Sequence, residues 1–209
     1  MGCMDCEILD SLVRERLGAC CKASRVEHCI SVASMSVRLC RRFGVDPWKG
    51  SVCGLAHDMM KDRPLKDQWA LAWRALSTPS LDFMASLVAR MEGEKSFADK
   101  IIHGPAAAVY LSEEFQVHDG EMLEAIALHS SAAAVMSPLA KILFIADKLE
   151  PRRPFVTAVE QEMADSLDLD TLLVKTLGMS MDWLKRKDHA IAQSTIDLYN
   201  ALTMRESAL

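Results

Sequence analysis

Nearly every stretch of this chain with a clear hydrophobic period has the 3.6-residue period of a helix, and no pair of alternating runs flanks a hairpin turn. That pattern predicts an all-α fold. Residues 5 to 17 place Ile8, Leu12 and Leu17 in an amphipathic first helix ending near Gly18. Residues 25 to 43 predict a longer helix with Val32, Met35, Leu39 and Phe43 on one face, His28 on that same face, and Gly44 as the stop signal. Asp46-Pro47 offers an N-cap acceptor followed by proline in the first helical position, opening a helix that runs to about Met60. One or two helices follow over residues 66 to 100, broken around Ser77-Thr78-Pro79-Ser80 and Gly93.

Gly104-Pro105 opens the next helix and leaves His103 just before an N-terminus with unpaired backbone N–H groups. Another begins near Asp119-Gly120, where Met122, Ile126 and His129 share a face. Ser137-Pro138 caps a third, with Leu139, Leu143 and Asp147 one turn apart. Residues 160 to 206 predict two more helices with a stripe of Leu167, Leu172 and Leu177, broken near Lys185 to Asp188. No linker or internal repeat divides the 209 residues, a length that one core can stabilise.

Composition narrows the function classes. A net charge of −5 without a Lys/Arg stripe disfavours a nucleic-acid polymer, while leaving room for a small anionic substrate in a locally cationic or metal-bearing cleft. No apolar run approaches the ~20 residues of a membrane span, and the start, MGCMDCEILD, has no basic region leading into an apolar one. A cytoplasmic protein with no membrane association is the expectation. The seven cysteines, an odd number, fit reduced thiols, and Cys3-x-x-Cys6 lacks the second pair of a zinc site.

Helices or helix ends spread along the chain each bring a metal-capable side chain to an inward face: His28, His57 with Asp58, His103, His129 and Asp147. Buried without partners, each would cost several kcal/mol if charged. Metal ions remove that cost. Imidazole with carboxylate suits iron, manganese or zinc, and no thiolate is in register with them. Asp58 has two oxygens and follows His57 directly, so it is placed to bridge two ions.

The order His28, His57-Asp58, Asp147 resembles the HD superfamily of metal-dependent phosphohydrolases, with His103 and His129 as in its two-metal branch. The stretches RVEHCISVA, FGVDPWKGSVCGLAHDMMKD, IIHGPAAAVYL and KILFIADKLEPRR look like the YqeK-like family of symmetrical bis(5'-nucleosyl)-tetraphosphatases, over about residues 25 to 200. The resemblance implies a single HD-domain helical bundle over 21–209, with residues 1–20 as an N-terminal helix outside it. It implies an enzyme that cleaves diadenosine tetraphosphate into two ADP at a pair of metal ions, typically iron, with manganese, zinc or magnesium as alternatives.

Residue by residue, the resemblance puts His28, His57, Asp58 and Asp147 on one metal, and Asp58, His103 and His129 on the second. Asp58 and Lys61 would be catalytic, and Lys61 and Arg153 would contact phosphates. The helix starting at Gly104 would aim N–H groups at the same phosphate chain. Two stretches depart from the family pattern, SSAAAVMS after His129 and Ile191-Ala192-Gln193 in place of Ile-His-Pro. Two further readings therefore stay open. One is an HD hydrolase of another nucleotide, a nucleoside mono- or triphosphate or a cyclic dinucleotide; the other is a non-catalytic, metal-bound nucleotide-binding module. The oligomeric state is open too, with a homodimer as one candidate.

Overall fold

Side-chain caps open five of the helices. The structure, a computed structural model, describes residues 6–77, 81–93 and 95–206, and the described residues are helical with no strand among them. In chain order the helices are α1 (Cys6–Cys20), α2 (Ala23–Phe43), α3 (Pro47–Ala56), α4 (Leu65–Arg74), α5 (Asp82–Gly93), α6 (Lys95–Ala98) and α7 (His103–Glu114). Then come α8 (Gly120–Leu128), α9 (Pro138–Leu149), α10 (Ala158–Ser166), α11 (Leu169–Arg186) and α12 (Gln193–Glu206). Asp46 accepts from Trp48 N and Ser137 from Ala140 N, so the two caps read in the sequence are made, and Asp119 accepts from Glu121 N and Met122 N where the sequence places a helix start. Thr157 and Glu160 add a reciprocal capping box at the start of α10.

The core is built on α3, which packs against α2 on one side and α9 on the other, with α1, α7 and α8 also touching it. The outer layers follow by pairwise packing: α4 on α7, α8 on α9 and α7, α11 on α9, and α12 on α11. One buried cluster runs through all of these, from Leu9, Val13 and Leu17 of α1 to Leu198 of α12.

Three expectations need correction. In α1 the buried face is Leu9, Val13 and Leu17, whereas Ile8 and Leu12 are exposed, because the helix extends to Cys20 and presents its i, i+4, i+8 row to α3. The segment 160–206 holds three helices, since Asp168 caps Asp170 N and Thr171 N and so starts a new one after Leu167. The helix opened by Pro47 stops at Ala56 and tightens into turns bonded three residues apart, with Met59 N on Ala56 O, Lys61 N on Asp58 O and Arg63 N on Met60 O. Of the break at Ser77-Thr78-Pro79-Ser80, residues 78–80 lie outside the described ones, as does Cys3 of the C-x-x-C pair.

The α2–α3 crossing leaves no room for a side chain at Gly54: a Cβ there would stand 2.4 Å from Ala33 Cα and 2.6 Å from Ala33 N. The obstacle is backbone, which cannot rotate away. Gly54→Ala is therefore expected to destabilise the fold by about 3 kcal/mol or more, the upper part of the overpacking range. Urea unfolding followed by circular dichroism checks this, and a loss below 1 kcal/mol would show that the two helices can slide apart freely.

Candidate metal centre

The turn after α3 brings His57 and Asp58 to one point, which adjacent residues on a regular helix do not reach. Around them stand His28 from α2, His103 at the first position of α7, His129 at the end of α8 and Asp147 near the end of α9, all buried. All six residues expected as ligands converge. His28 Nε2 lies 3.1 Å from Asp147 Oδ1 and 3.3 Å from His57 Nε2, and His57 Nε2 lies 3.7 Å from Asp147 Oδ1. On the other side His103 Nε2 and His129 Nε2 lie 3.1 and 3.4 Å from Asp58 Oδ1 and 3.2 Å from each other. Asp58 divides its oxygens between the two sides, Oδ2 facing His57 at 3.8 Å and His28 at 3.9 Å.

The hydrogen bonds on the far edges of the rings decide what the near edges offer. His57 Nδ1 donates to Gly54 O at 2.8 Å, His129 Nδ1 to Ile126 O at 2.7 Å and His28 Nδ1 to Glu150 Oε1 at 3.0 Å. Carbonyl and carboxylate oxygens only accept, so in each neutral ring the proton sits on Nδ1 and Nε2 presents a lone pair. With both rings in that form, two such lone pairs face each other at 3.3 Å between His28 and His57. A cation resolves that contact. The donor set, imidazole with carboxylate, is one that divalent first-row metals accept, and it falls into two overlapping groups, His28/His57/Asp147 and His57/Asp58/His129.

Electrostatics keep these side chains in the forms a metal would need. Burial pushes His57 down to about 3 and His103 down to about 4, so both rings are neutral near pH 7. Burial also opposes ionisation of Asp58, but the imidazoles of His57, His103 and His129 outweigh it and hold the carboxyl well below the usual range. At Asp147 burial is again outweighed, there by the charges of Lys148 and Arg153.

Each carboxylate is flanked by two cations. Arg25 and Lys61 pair with Asp58, Lys61 at 3.4 Å, and Lys148 and Arg153 pair with Asp147, Lys148 at 2.8 Å. Lys61 and Arg153, singled out in the sequence, keep side-chain exposures of 38% and 33%, against 15% for Lys148, which also donates to His129 O at 2.6 Å. Gly104 does not offer a free amide: its N–H is spent on Ile101 O at 3.1 Å, which corrects its expected role. It serves packing instead, since a Cβ there would stand 2.9 Å from Ala127 O and 3.3 Å from His129 Cε1. Sequence reasoning missed Arg25, Ser130, Lys148 and Glu150. Arg25 was findable, one turn before His28 on the same helix face; Ser130, whose Oγ lies 3.2 Å from His103 Nε2 and 2.9 Å from His129 Nε2, carried no such signal.

An α-helical bundle that converges four imidazoles and two carboxylates, three of those imidazoles and both carboxylates forming two overlapping groups that could hold a metal ion, defines a histidine–aspartate protein built for divalent metal. The family model described as HD domain matches residues 25–152. This chain belongs to the HD domain family. It is similar to the proteins named "Bis(5'-nucleosyl)-tetraphosphatase, symmetrical" of Halalkalibacterium halodurans, 28% identical with 87% of this chain and 90% of that one covered, and of Bacillus subtilis, 28% identical with 90% and 97% covered. A solved HD superfamily hydrolase from Clostridium acetobutylicum shares the fold with a TM-score of 0.76 at 23% identity, over 93% of this chain and 97% of that one.

Two predictions follow from the ring geometry. Glu150→Gln weakens the acceptor that orients His28 and is expected to lower metal affinity about 10–100-fold, read by titrating metal into stripped protein. Unchanged affinity would mean that His28 is held by packing alone. For the metal-free protein, the folded-state values of His57 and His103 lie below their ordinary 6.5, so the unfolded chain takes up protons that the folded chain refuses. That stability is complete above about pH 6.5 and is lost as pH falls toward 4. A urea midpoint that stays constant across this window would contradict neutral burial of the two rings.

Proposed function

We propose that the protein is a metal-dependent phosphohydrolase that cleaves dinucleoside tetraphosphates, diadenosine tetraphosphate in particular, symmetrically into two nucleoside diphosphates. The observation that carries this reading is Asp58, whose two oxygens face two different sets of histidines, in a chain similar over most of its length to proteins named symmetrical tetraphosphatases. His28, His57, Asp58 and Asp147 would hold one ion and Asp58, His103 and His129 the other, with iron proposed and manganese, zinc or magnesium as substitutes. When bound, the metal supplies Lewis acidity, polarising phosphoryl oxygens and making water acidic enough to attack at neutral pH.

The chain's own residues do the rest. Lys61 and Arg153, half-exposed at the rim, neutralise charge on the non-bridging oxygens of the phosphate chain. Arg25 and Lys148, deeper on the same carboxylates, hold Asp58 and Asp147 in place. The nucleoside has a place beside the site, a cavity of ≈ 470 Å³ with walls that include Leu87, Met91, Phe97 and Ile101 and polar groups from Ser131 and Gln193. Ile101 and Ser131 each stand two residues from a proposed ligand, His103 and His129. Ser131 Oγ is buried behind this wall without a hydrogen-bond partner.

A second reading, the same chemistry on another nucleotide, is favoured by one observation. Ala132, in that cavity wall, is buried with φ +54, a conformation costing about 1–3 kcal/mol for a residue with a Cβ. The wall is thus shaped by residues of this chain's own SSAAAVMS stretch. Incubation of metal-loaded protein with diadenosine tetraphosphate, followed by chromatography, is expected to give ADP as sole product. ATP with AMP would overturn symmetrical cleavage, and turnover of another nucleotide alone would favour the second reading. Lys61→Met is expected to lower kcat/KM about 10–100-fold, the equivalent of one charge-assisted hydrogen bond of about 1.5–3 kcal/mol, and an unaltered value would remove Lys61 from the site.

A further inference from the structure

A second set of reactive groups lies outside the ligand cluster. Cys20 ends α1 and Cys21 follows it in the turn to α2; both are partly exposed, and their sulfurs stand 3.6 Å apart. Cys21 Sγ donates to Met59 O at 3.3 Å, and Cys20 Sγ reaches the same carbonyl at 3.9 Å. That carbonyl belongs to the residue after Asp58. The same junction is tied a second time by Lys22 N donating to Asp62 Oδ2 at 3.1 Å.

The two thiols are unequal. The contact with Cys21 and the charges of Arg63 and Arg16, against partial burial, favour the thiolate at Cys20, whereas the contact with Cys20 and burial disfavour it at Cys21. Burial pushes Cys40 up to about 12 and Cys53 well above its ordinary value, and both are fully enclosed. A partly exposed, acidic thiol beside a second thiol is the arrangement of an attacking and a resolving cysteine.

We infer that Cys20 and Cys21 form a dithiol redox site for low-molecular-weight disulfides, with Cys20 attacking and Cys21 resolving. The Cys20 thiolate displaces one thiolate from R–S–S–R and forms Cys20–S–S–R. Cys21 then gives its proton to solvent and attacks the Cys20 sulfur, closing the Cys20–Cys21 disulfide and expelling the second thiolate. Two cysteine thiols and R–S–S–R become one protein disulfide and two R–SH, so two electrons pass to the external disulfide. Ring closure leaves no hydrogen on either sulfur, and Met59 O loses the Cys21 thiol donor. The turn that carries Asp58 and Lys61 is then held less firmly.

Trypsin isolates the pair, because cleavage after Arg16 and Lys22 releases LGACCK, which contains these two cysteines and no other. Full-length protein incubated with oxidised glutathione, acid-quenched and digested, is expected to yield this peptide short of two hydrogens. Cys21→Ser is expected to stop at a stable glutathione adduct on Cys20. A wild-type peptide that keeps both thiols, or that accumulates the single adduct, overturns the proposal, as does equal oxidation of Cys40 and Cys53. Turnover of diadenosine tetraphosphate is expected to fall severalfold on oxidation and to return with dithiothreitol; this arm alone rests on the hydrolase reading. Unchanged turnover in an active, fully oxidised sample would overturn the coupling to the turn while the mass result stands by itself.

Discussion

Three hydrogen bonds on the outer edges of imidazole rings govern the centre of this molecule: His57 Nδ1 to Gly54 O, His129 Nδ1 to Ile126 O and His28 Nδ1 to Glu150 Oε1. In the first two the acceptor is the carbonyl three residues back, an orphan of a helix end that would otherwise need water. The ring satisfies the helix terminus, and the terminus fixes the ring. Both histidines sit at C-caps for this reason, His57 closing α3 and His129 closing α8. A helix that ended one residue later would lose the bond and turn the Nε2 lone pair away from its partners.

That constraint explains what could be read from the sequence. The six inward-facing metal-capable residues stood out because helical spacing sets each on or beside an apolar face, and the caps Asp46 and Ser137 were visible as acceptors before proline, with a helix start near Asp119-Gly120. The end of α3 was not visible. Local propensity over GLAHDMM favours continuing the helix, and only the distant partners of Asp58, reached through tertiary packing, draw the chain into tighter turns. The same blindness hid Lys148 and Glu150, whose importance lies in contacts to His129 and His28, more than one hundred residues away in the second case. Gly104 was misread because its residue type suggests an open helix N-terminus, whereas its lack of a side chain serves packing.

The charge arrangement around the two carboxylates is economical in a particular way. Asp58 and Asp147 would be costly to bury as free anions, and each has one deep and one shallow cation against it. The deeper ones, Arg25 and Lys148, are less exposed than their counterparts, at 25% against 38% for Lys61 and 15% against 33% for Arg153. The shallow ones, Lys61 and Arg153, can exchange a carboxylate for a phosphate oxygen without leaving the carboxylate unpaired. On the proposed reading a polyanionic substrate would meet cations already positioned by the fold, and the pairing cost of holding them would be carried before it arrived.

Two glycines set the distances on which all of this rests. Gly54 lets α3 lie directly on Ala33 of α2, the helix that carries His28, and its carbonyl is the acceptor that orients His57. Gly104 lets α7 lie on the end of α8, so that His103 and His129 come within 3.2 Å of each other on either side of Asp58 Oδ1. Each glycine thus sits next to the histidines of one ligand group. A larger residue at Gly54 would open the α2–α3 crossing beside His28 and His57, and one at Gly104 the α7–α8 crossing beside His103 and His129, because the two crossings involve different helix pairs. The bundle could then keep its fold with one half of the centre displaced, and Asp58, which belongs to both halves, would be the residue that registers the mismatch.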